Sequence, residues 1–155
     1  MNVRRSITAV VAVPVLSLGT ASCGFDAPTD QIYNPAVGVS DQTGEVDVLN
    51  VLVVSAEDGS GTLVASFANN DIENDDALSG VTGEEAEVQV EGDTEIPAAG
   101  YLNLSDGSLQ VTGEGVTPGA TVGLTFDFDR AEPITLQAPV VEQSSEGPYA
   151  DVPVS

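Results

Sequence analysis

The residues that could carry chemistry in this chain are almost all carboxylates. Its 155 residues include 25 Asp and Glu, three Arg, no Lys, no His, one Cys and one Met. A Ser or Thr nucleophile needs a neighbouring base, and the usual bases, His and Lys, are missing. A soft metal needs Cys, His or Met ligands, which are nearly absent as well. The sequence therefore predicts a non-enzymatic protein with no catalytic residues and no cofactor.

One acidic segment, residues 69–76, has the composition of a hard-cation site. Its candidate ligands for Ca²⁺ are Asp71, Glu73, Asp75 and Asp76, because Ca²⁺ binds carboxylate and carbonyl oxygens. The spacing is not that of an EF-hand loop, since the turn glycine and the closing glutamate are missing. We therefore favour a solvated acidic loop at this position and keep a cation site as the alternative.

The N-terminal residues 1–22 have the three regions of an export signal in order. Arg4 and Arg5 form a positive region, residues 7–18 form a mostly apolar stretch, and small residues follow at 19–22. The apolar stretch is shorter than the about 20 residues that a membrane-spanning helix needs. Cleavage of this segment, and an extracytoplasmic location for the rest, are expected.

Cys23, the only cysteine, directly follows these small residues. Thr20-Ala21-Ser22-Cys23 resembles the lipobox of bacterial lipoproteins, although Thr20 stands where an aliphatic residue is usual. The resemblance implies acylation of Cys23, with palmitate as an expected acyl group, and attachment to the cell membrane. Cleavage after Ala21, leaving a free thiol, is the alternative.

The charge balance restricts the partners that the exported chain can have. The whole chain has a net charge of −22, and removal of residues 1–22 leaves Arg130 as the only basic residue, with a net charge of −24. Such a surface repels nucleic-acid phosphates and anionic headgroups. We therefore exclude nucleic acid and expect membrane contact through the lipid anchor alone.

From residue 37 onward the hydrophobic pattern is typical of short β-strands. Residues 46–54 form a nearly continuous apolar run that predicts a strand buried on both faces, and residues 62–68 complete a hairpin with it. Residues 81–90 predict a strand with Val88 and Val90 facing inward. Residues 101–104 and 109–111 predict a second hairpin around Asp106-Gly107.

The clearest alternation lies in residues 121–129. Val122, Leu124, Phe126 and Phe128 are predicted to face the core, and Thr121, Thr125, Asp127 and Asp129 to face water. Ile134, Leu136 and Ala138 repeat the pattern. In all, about seven to nine strands separated by Gly, Pro, Asn and Asp predict an all-β, antiparallel, immunoglobulin-like sandwich. The predicted organisation is a signal at 1–22, a lipidated tether at 23–36, the sandwich at 37–142 and a flexible tail at 143–155.

Several short segments between about residues 46 and 141 occur in a recognisable order. They include Asp76-Ala77-Leu78-Ser79-Gly80-Val81, Val88-Gln89-Val90 and Thr117-Pro118-Gly119, together with residues 96–100, 107–113, 122–126 and 138–140. This order resembles that of the PCuAC family of extracytoplasmic copper chaperones. The resemblance implies a small cupredoxin-like, immunoglobulin-like sandwich.

The family's copper ligands, two His and two Met, do not carry over. The resemblance places the first His at Glu91, replaces the Met-bearing segment by residues 92–95, and places the His-x-Met pair at Ser108 and Gln110. It therefore implies the fold and the extracytoplasmic setting, and it argues against copper delivery by the family's mechanism.

Two functional hypotheses follow. The first is a non-catalytic binding or structural lipoprotein that presents a surface to an envelope protein. The second is a carboxylate-based binder of a hard cation or a small ligand. A copper-related role by another mechanism is a more remote alternative, and the sequence leaves the oligomeric state open.

Overall fold

The computed structural model describes residues 37–57 and 59–154, and their secondary structure is entirely β. The predicted signal, Cys23 and the tether lie outside the described residues. The strands are β1 (Val39–Asp41), β2 (Val46–Glu57), β3 (Ser60–Asn69), β4 (Asp76–Gly83), β5 (Glu87–Val90), β6 (Glu95–Ile96), β7 (Tyr101–Leu104), β8 (Leu109–Thr112), β9 (Thr121–Phe128) and β10 (Ile134–Glu142). Within these ranges no helix has the length and apolar character needed to cross a membrane.

The predicted hairpin of residues 46–68 is confirmed as the antiparallel pair β2–β3, the longest strands of the fold. Val51, Leu52, Val53 and Val54 are all fully buried. Because successive side chains of a strand point to opposite faces, both faces of β2 are covered. Because both faces are buried, the sequence of β2 is a continuous apolar run without alternation.

The hydrogen-bonded strands follow the order β5-β8-β3-β2-β10-β9-β4-β6, with β1 also on β2 and β7 also on β3. Strand β10 pairs with β9 through residues 134–139 and then with β2 through residues 140–142. This change of partner at Pro139 lets the sheet fold over into two layers. The layers meet where the Phe67 ring lies edge-on to Phe126 and Phe128, at centroid distances of 5.7 and 5.9 Å.

The predicted facing of β9 is confirmed. Val122, Leu124, Phe126 and Phe128 are buried in the main core, while the alternate residues are partly or fully exposed. Val88 and Val90 also pack against this core from the edge strand β5. The predicted all-β sandwich is therefore confirmed, although the described residues form ten strands where about seven to nine were predicted, and one pair, β2–β10, is parallel.

Two predicted strand arrangements are wrong in detail. The predicted strand 81–90 is divided into β4, which pairs with β9, and β5, which pairs with β8 in the other layer. The chain crosses between layers at Gly83, where a Cβ would lie 2.6 Å from the Ala86 carbonyl oxygen. Strands β7 and β8 do not pair with each other; both run antiparallel to β3. The Asp106-Gly107 segment thus connects two strands that follow one another along the same edge of β3, and it does not reverse the chain direction.

In the C-terminal segment that was predicted to be a flexible tail, Tyr149, Val152 and Val154 pack against the sheet. Val152 is 8% exposed and forms a second apolar cluster with Leu52, Val54 and Val64, on the face of β2–β3 opposite to the main core. Gln143 Nε2 donates to the Val152 carbonyl oxygen at 2.7 Å. The outer face of β2 is apolar because this segment covers it.

Candidate functional site

The three positions at which the resemblance places metal ligands lie together at one end of β5–β8. Glu91 follows β5 and its backbone N–H donates to the Ser108 carbonyl oxygen at 2.8 Å, immediately before β8. Gln110 is the cross-strand partner of Gln89. The register of this short antiparallel pair therefore brings Glu91 close to Ser108 and Gln110, which follow it by 17 and 19 positions in the chain.

The side chains at this end are held by local hydrogen bonds. The Ser108 hydroxyl donates to Asp106 Oδ1, and this bond, followed by the Ser108 backbone N–H, lowers the pKa of the Asp106 carboxyl. Gln110 Nε2 donates to the Gly107 carbonyl oxygen at 2.8 Å and to Thr62 Oγ1 at 3.4 Å. The Glu91 side chain is exposed. These oxygen and amide groups can bind hydrogen-bonding partners.

The C-terminal segment reaches the same end of the sheet. The buried Thr62 hydroxyl donates to the Pro153 carbonyl oxygen. Gly107 has φ +92°, and a Cβ there would lie 2.9 Å from Pro153 Cγ. Sequence reasoning did not identify this contact, because an isolated Thr in a strand and a Pro near the C-terminus carry no signal for each other.

The carboxylates of the acidic loop, by contrast, point to different partners. Asp71 Oδ1 accepts hydrogen bonds from the backbone N–H groups of Glu73 (2.8 Å) and Asn74 (3.2 Å), and Oδ2 accepts one from Asn74 Nδ2 at 2.8 Å. The Glu73 bond is the main reason that the pKa of Asp71 lies below its usual value. Arg130 Nη2 is 3.8 Å from Asp71 Oδ2, and this partly exposed ion pair has small energetic value.

The carboxylates of Asp76 and Asp75 also accept hydrogen bonds from backbone N–H groups. Asp76, only 7% exposed, accepts from the backbone N–H of Ala77 and Arg130 at Oδ1 and from that of Ala131 at Oδ2. Asp75 Oδ1 accepts from the Ala98 N–H at 2.8 Å. In the part of the chain that the structure describes, no three His, Cys, Asp or Glu side chains are grouped to hold a metal. The loop carboxylates organise backbone turns, and their set is not brought together as a cation site.

This arrangement predicts a non-specific response to salt. Sodium chloride is expected to raise the melting temperature by a few degrees, because it screens repulsion among the many exposed carboxylates. Calcium and magnesium chloride at equal ionic strength are expected to act alike in thermal melts followed by circular dichroism. A far larger increase with calcium than with magnesium would contradict this account and favour the carboxylate-based cation site.

Solved structures that resemble this fold include three PCuAC domains. They are the copper-bound PCuAC domain from PmoF2 (TM-score 0.55, 16% identity), the apo PmoF2 PCuAC domain (0.55, 16%) and the apo PCuAC domain from PmoF1 (0.56, 17%). Each alignment covers 67% of this chain and 98%, 95% and 99% of those chains, respectively. The chain has a PCuAC-like fold. No protein-family model and no curated protein matches the sequence.

The residues that this PCuAC-like fold places at the β5–β8 end do not fit copper. Glu91, Ser108 and Gln110 offer a carboxylate, a hydroxyl and an amide, whereas Cu(I) prefers soft thiolate and thioether ligands and Cu(II) binds imidazole nitrogen well. The described ranges contain no His, Cys or Met. These residues therefore do not support copper chemistry at this site.

Proposed function

We propose that this protein is a lipid-anchored, extracytoplasmic binding module without catalytic activity, built on a PCuAC-like sandwich that lacks the soft-metal site. The observation that carries the proposal is the gathering of Glu91, Ser108 and Gln110 at one end of β5–β8, with only oxygen and amide donors. Such groups bind a partner through hydrogen bonds and charge.

The partner that we propose is another envelope protein. The exposed carboxylates favour a partner with a basic surface, since complementary charge speeds association and selects the partner. The missing His and Lys argue against acid–base or nucleophilic catalysis by this surface. Binding of this kind needs no chemical step.

The proposed anchor is tested by Cys23→Ala. Because the single thiol is the proposed acylation site, the variant is expected to leave the membrane fraction for the medium or to accumulate with an uncleaved N-terminus. Membrane fractionation and intact-mass measurement distinguish these states from the parent. Ser144→Ala, an exposed change at the other end of the chain, serves as the control. Unchanged membrane retention of Cys23→Ala would rule out the anchor.

The proposed lack of a soft-metal site is tested with copper itself. In competition with a Cu(I) chelator, the Cys23→Ala chain is expected to bind Cu(I) no better than an unrelated acidic protein of similar charge, because soft ligands are missing. Stoichiometric, tight binding by this variant would overturn the proposal.

A further inference from the structure

A cavity of about 340 Å³ lies on the outer face of β3 and β7. This volume is at the low end of the range, about 300–1,000 Å³, that is typical of small-molecule sites. Its polar lining consists of Asn50, Ser66, Asn103, Ser105, Tyr149 and Asp151. Neither the resemblance to PCuAC domains nor the proposed surface makes use of this cavity.

The pairing of β3 with β7 positions the residues that form the floor of this cavity. Ser66 of β3 is the direct partner of Asn103 of β7, so the two side chains share a face. That face is the outer one, because the flanking Ala65 and Phe67 are buried in the main core. Val64, two residues before Ser66, adds an apolar patch to the same floor.

The C-terminal segment forms the opposite wall. Tyr149 and Val152 border the cavity, and both belong to the apolar cluster that covers Leu52 and Val54. The half-buried Tyr149 thus brings an aromatic ring and a hydroxyl beside the amide and hydroxyl groups of the floor. A segment that is fixed by packing on β2–β3 supplies a preformed wall.

Asn50 lies at the edge of the cavity on a β-bulge of β2, where the β2–β3 register shifts between Leu49 and Leu52. Its φ is +51°, an uncommon conformation for a residue other than glycine. Gly38 makes room for this bulge, since a Cβ there would lie 2.6 Å from the Asn50 carbonyl carbon. Backbone strain of this kind is concentrated at functional sites.

The chemistry of the lining selects the ligand class. The Asn103 amide, three hydroxyls and one exposed carboxylate can donate and accept hydrogen bonds, while Val64, Val152 and the Tyr149 ring can contact apolar C–H groups. The net charge of −22 and the lack of a basic residue in the lining disfavour an anion. We propose that this cavity binds a neutral polyhydroxylated ligand of about monosaccharide size.

The test uses the full chain and a panel of probes, namely glucose, galactose, mannose and N-acetylglucosamine, with glucuronate and glucosamine as charged analogues. Saturation-transfer NMR titrations are expected to give saturable, millimolar or tighter binding for at least one neutral sugar, and weaker binding for glucuronate. Asn103→Ala, at an exposed position, is expected to weaken binding about tenfold, the equivalent of one lost hydrogen bond. Gln89→Ala, which removes an exposed amide from the edge strand β5, is the matched control and should bind like the parent.

Three results would overturn the proposal. They are no saturable binding of any neutral sugar in the panel, equal binding by Asn103→Ala and the parent, or a clear preference for the cationic glucosamine. Circular dichroism of each variant verifies that the fold is retained. Because the copper and membrane experiments do not involve this cavity, failure here leaves the proposed binding module intact.

Discussion

Replacing Phe126 with Ala is expected to remove about 3–5 kcal/mol from the free energy of unfolding, the largest loss expected of any single change in this protein. Phe126 is fully buried in the middle of β9, and its ring lies edge-on to Phe67 across the two layers. Truncation of a buried Phe costs about 3–5 kcal/mol, because apolar contact is lost and a cavity remains. Since whole domains are stable by only about 5–15 kcal/mol, this change removes a large share of the total. Urea unfolding followed by far-ultraviolet circular dichroism measures the loss.

The matched control is the next residue in the strand. Asp127 points to the other face of β9, so Asp127→Asn should be close to neutral, or slightly stabilising because it removes one charge from a strongly acidic surface. If Phe126→Ala unfolded at the parent's urea concentration while Asp127→Asn lost its structure, the facing of this strand would be wrong.

Replacing Asp76 with Ala is expected to have the second-largest effect. The buried carboxylate accepts three backbone hydrogen bonds, from Ala77, Arg130 and Ala131, and thereby joins the start of β4 to the β9–β10 turn. An unsatisfied buried donor costs about 1–3 kcal/mol, and the Ala variant leaves three donors to find water. We expect a loss on the order of 3 kcal/mol, measured from the shift of the urea midpoint.

Asp129→Ala provides the comparison for this prediction. Asp129 lies in the same turn region, and its replacement by Ala removes the same charge, but its side chain is exposed. Equal stability of the two variants would mean that the three hydrogen bonds contribute nothing beyond the loss of a charge.

The faces of β9 and β2 were predictable from their hydrophobic patterns, because β9 is buried on one face and β2 is buried on both. In β9 the alternation of large apolar and polar residues is strict, since each buried position contacts the opposite layer. In β2 the apolar run is continuous because a different element covers each face. In both strands a local pattern was enough, as side-chain direction depends only on the two-residue period.

Pairing between distant strands was not predictable from the same patterns. Residues 101–104 and 109–111 flank Asp106-Gly107 as a hairpin would, yet both pair with β3. That choice depends on the length of β3, which accommodates two short strands end to end, and no local pattern encodes it. The docking of residues 143–154 depends likewise on an apolar patch contributed by β2 and β3.

The β5–β8 end and the acidic loop differ in how far the sequence predicted the arrangement of their side chains. The resemblance alone assigned Glu91 and Ser108 to positions of the family's metal ligands. In the short β5–β8 pair the Glu91 backbone nitrogen lies 2.8 Å from the Ser108 carbonyl oxygen. The acidic loop had the composition of a cation site, but Asp71, Asp75 and Asp76 accept backbone N–H groups instead. Composition shows how many carboxylates are available, whereas their direction is set by turns that the sequence pattern does not specify.

We propose that the β5–β8 end of this PCuAC-like sandwich corresponds to the metal-binding end of the fold but lacks the soft ligands. The most direct measurement is Cu(I) affinity, by chelator competition, of Cys23→Ala chains with and without Glu91→His, Ser108→His and Gln110→Met. These are the positions that the resemblance assigns to three of the family's ligands, and they lie together at the β5–β8 end. We predict stoichiometric Cu(I) binding by the triple variant and none above the acidic background without it. Tight binding without these substitutions, or none with them in a folded chain, would contradict the account.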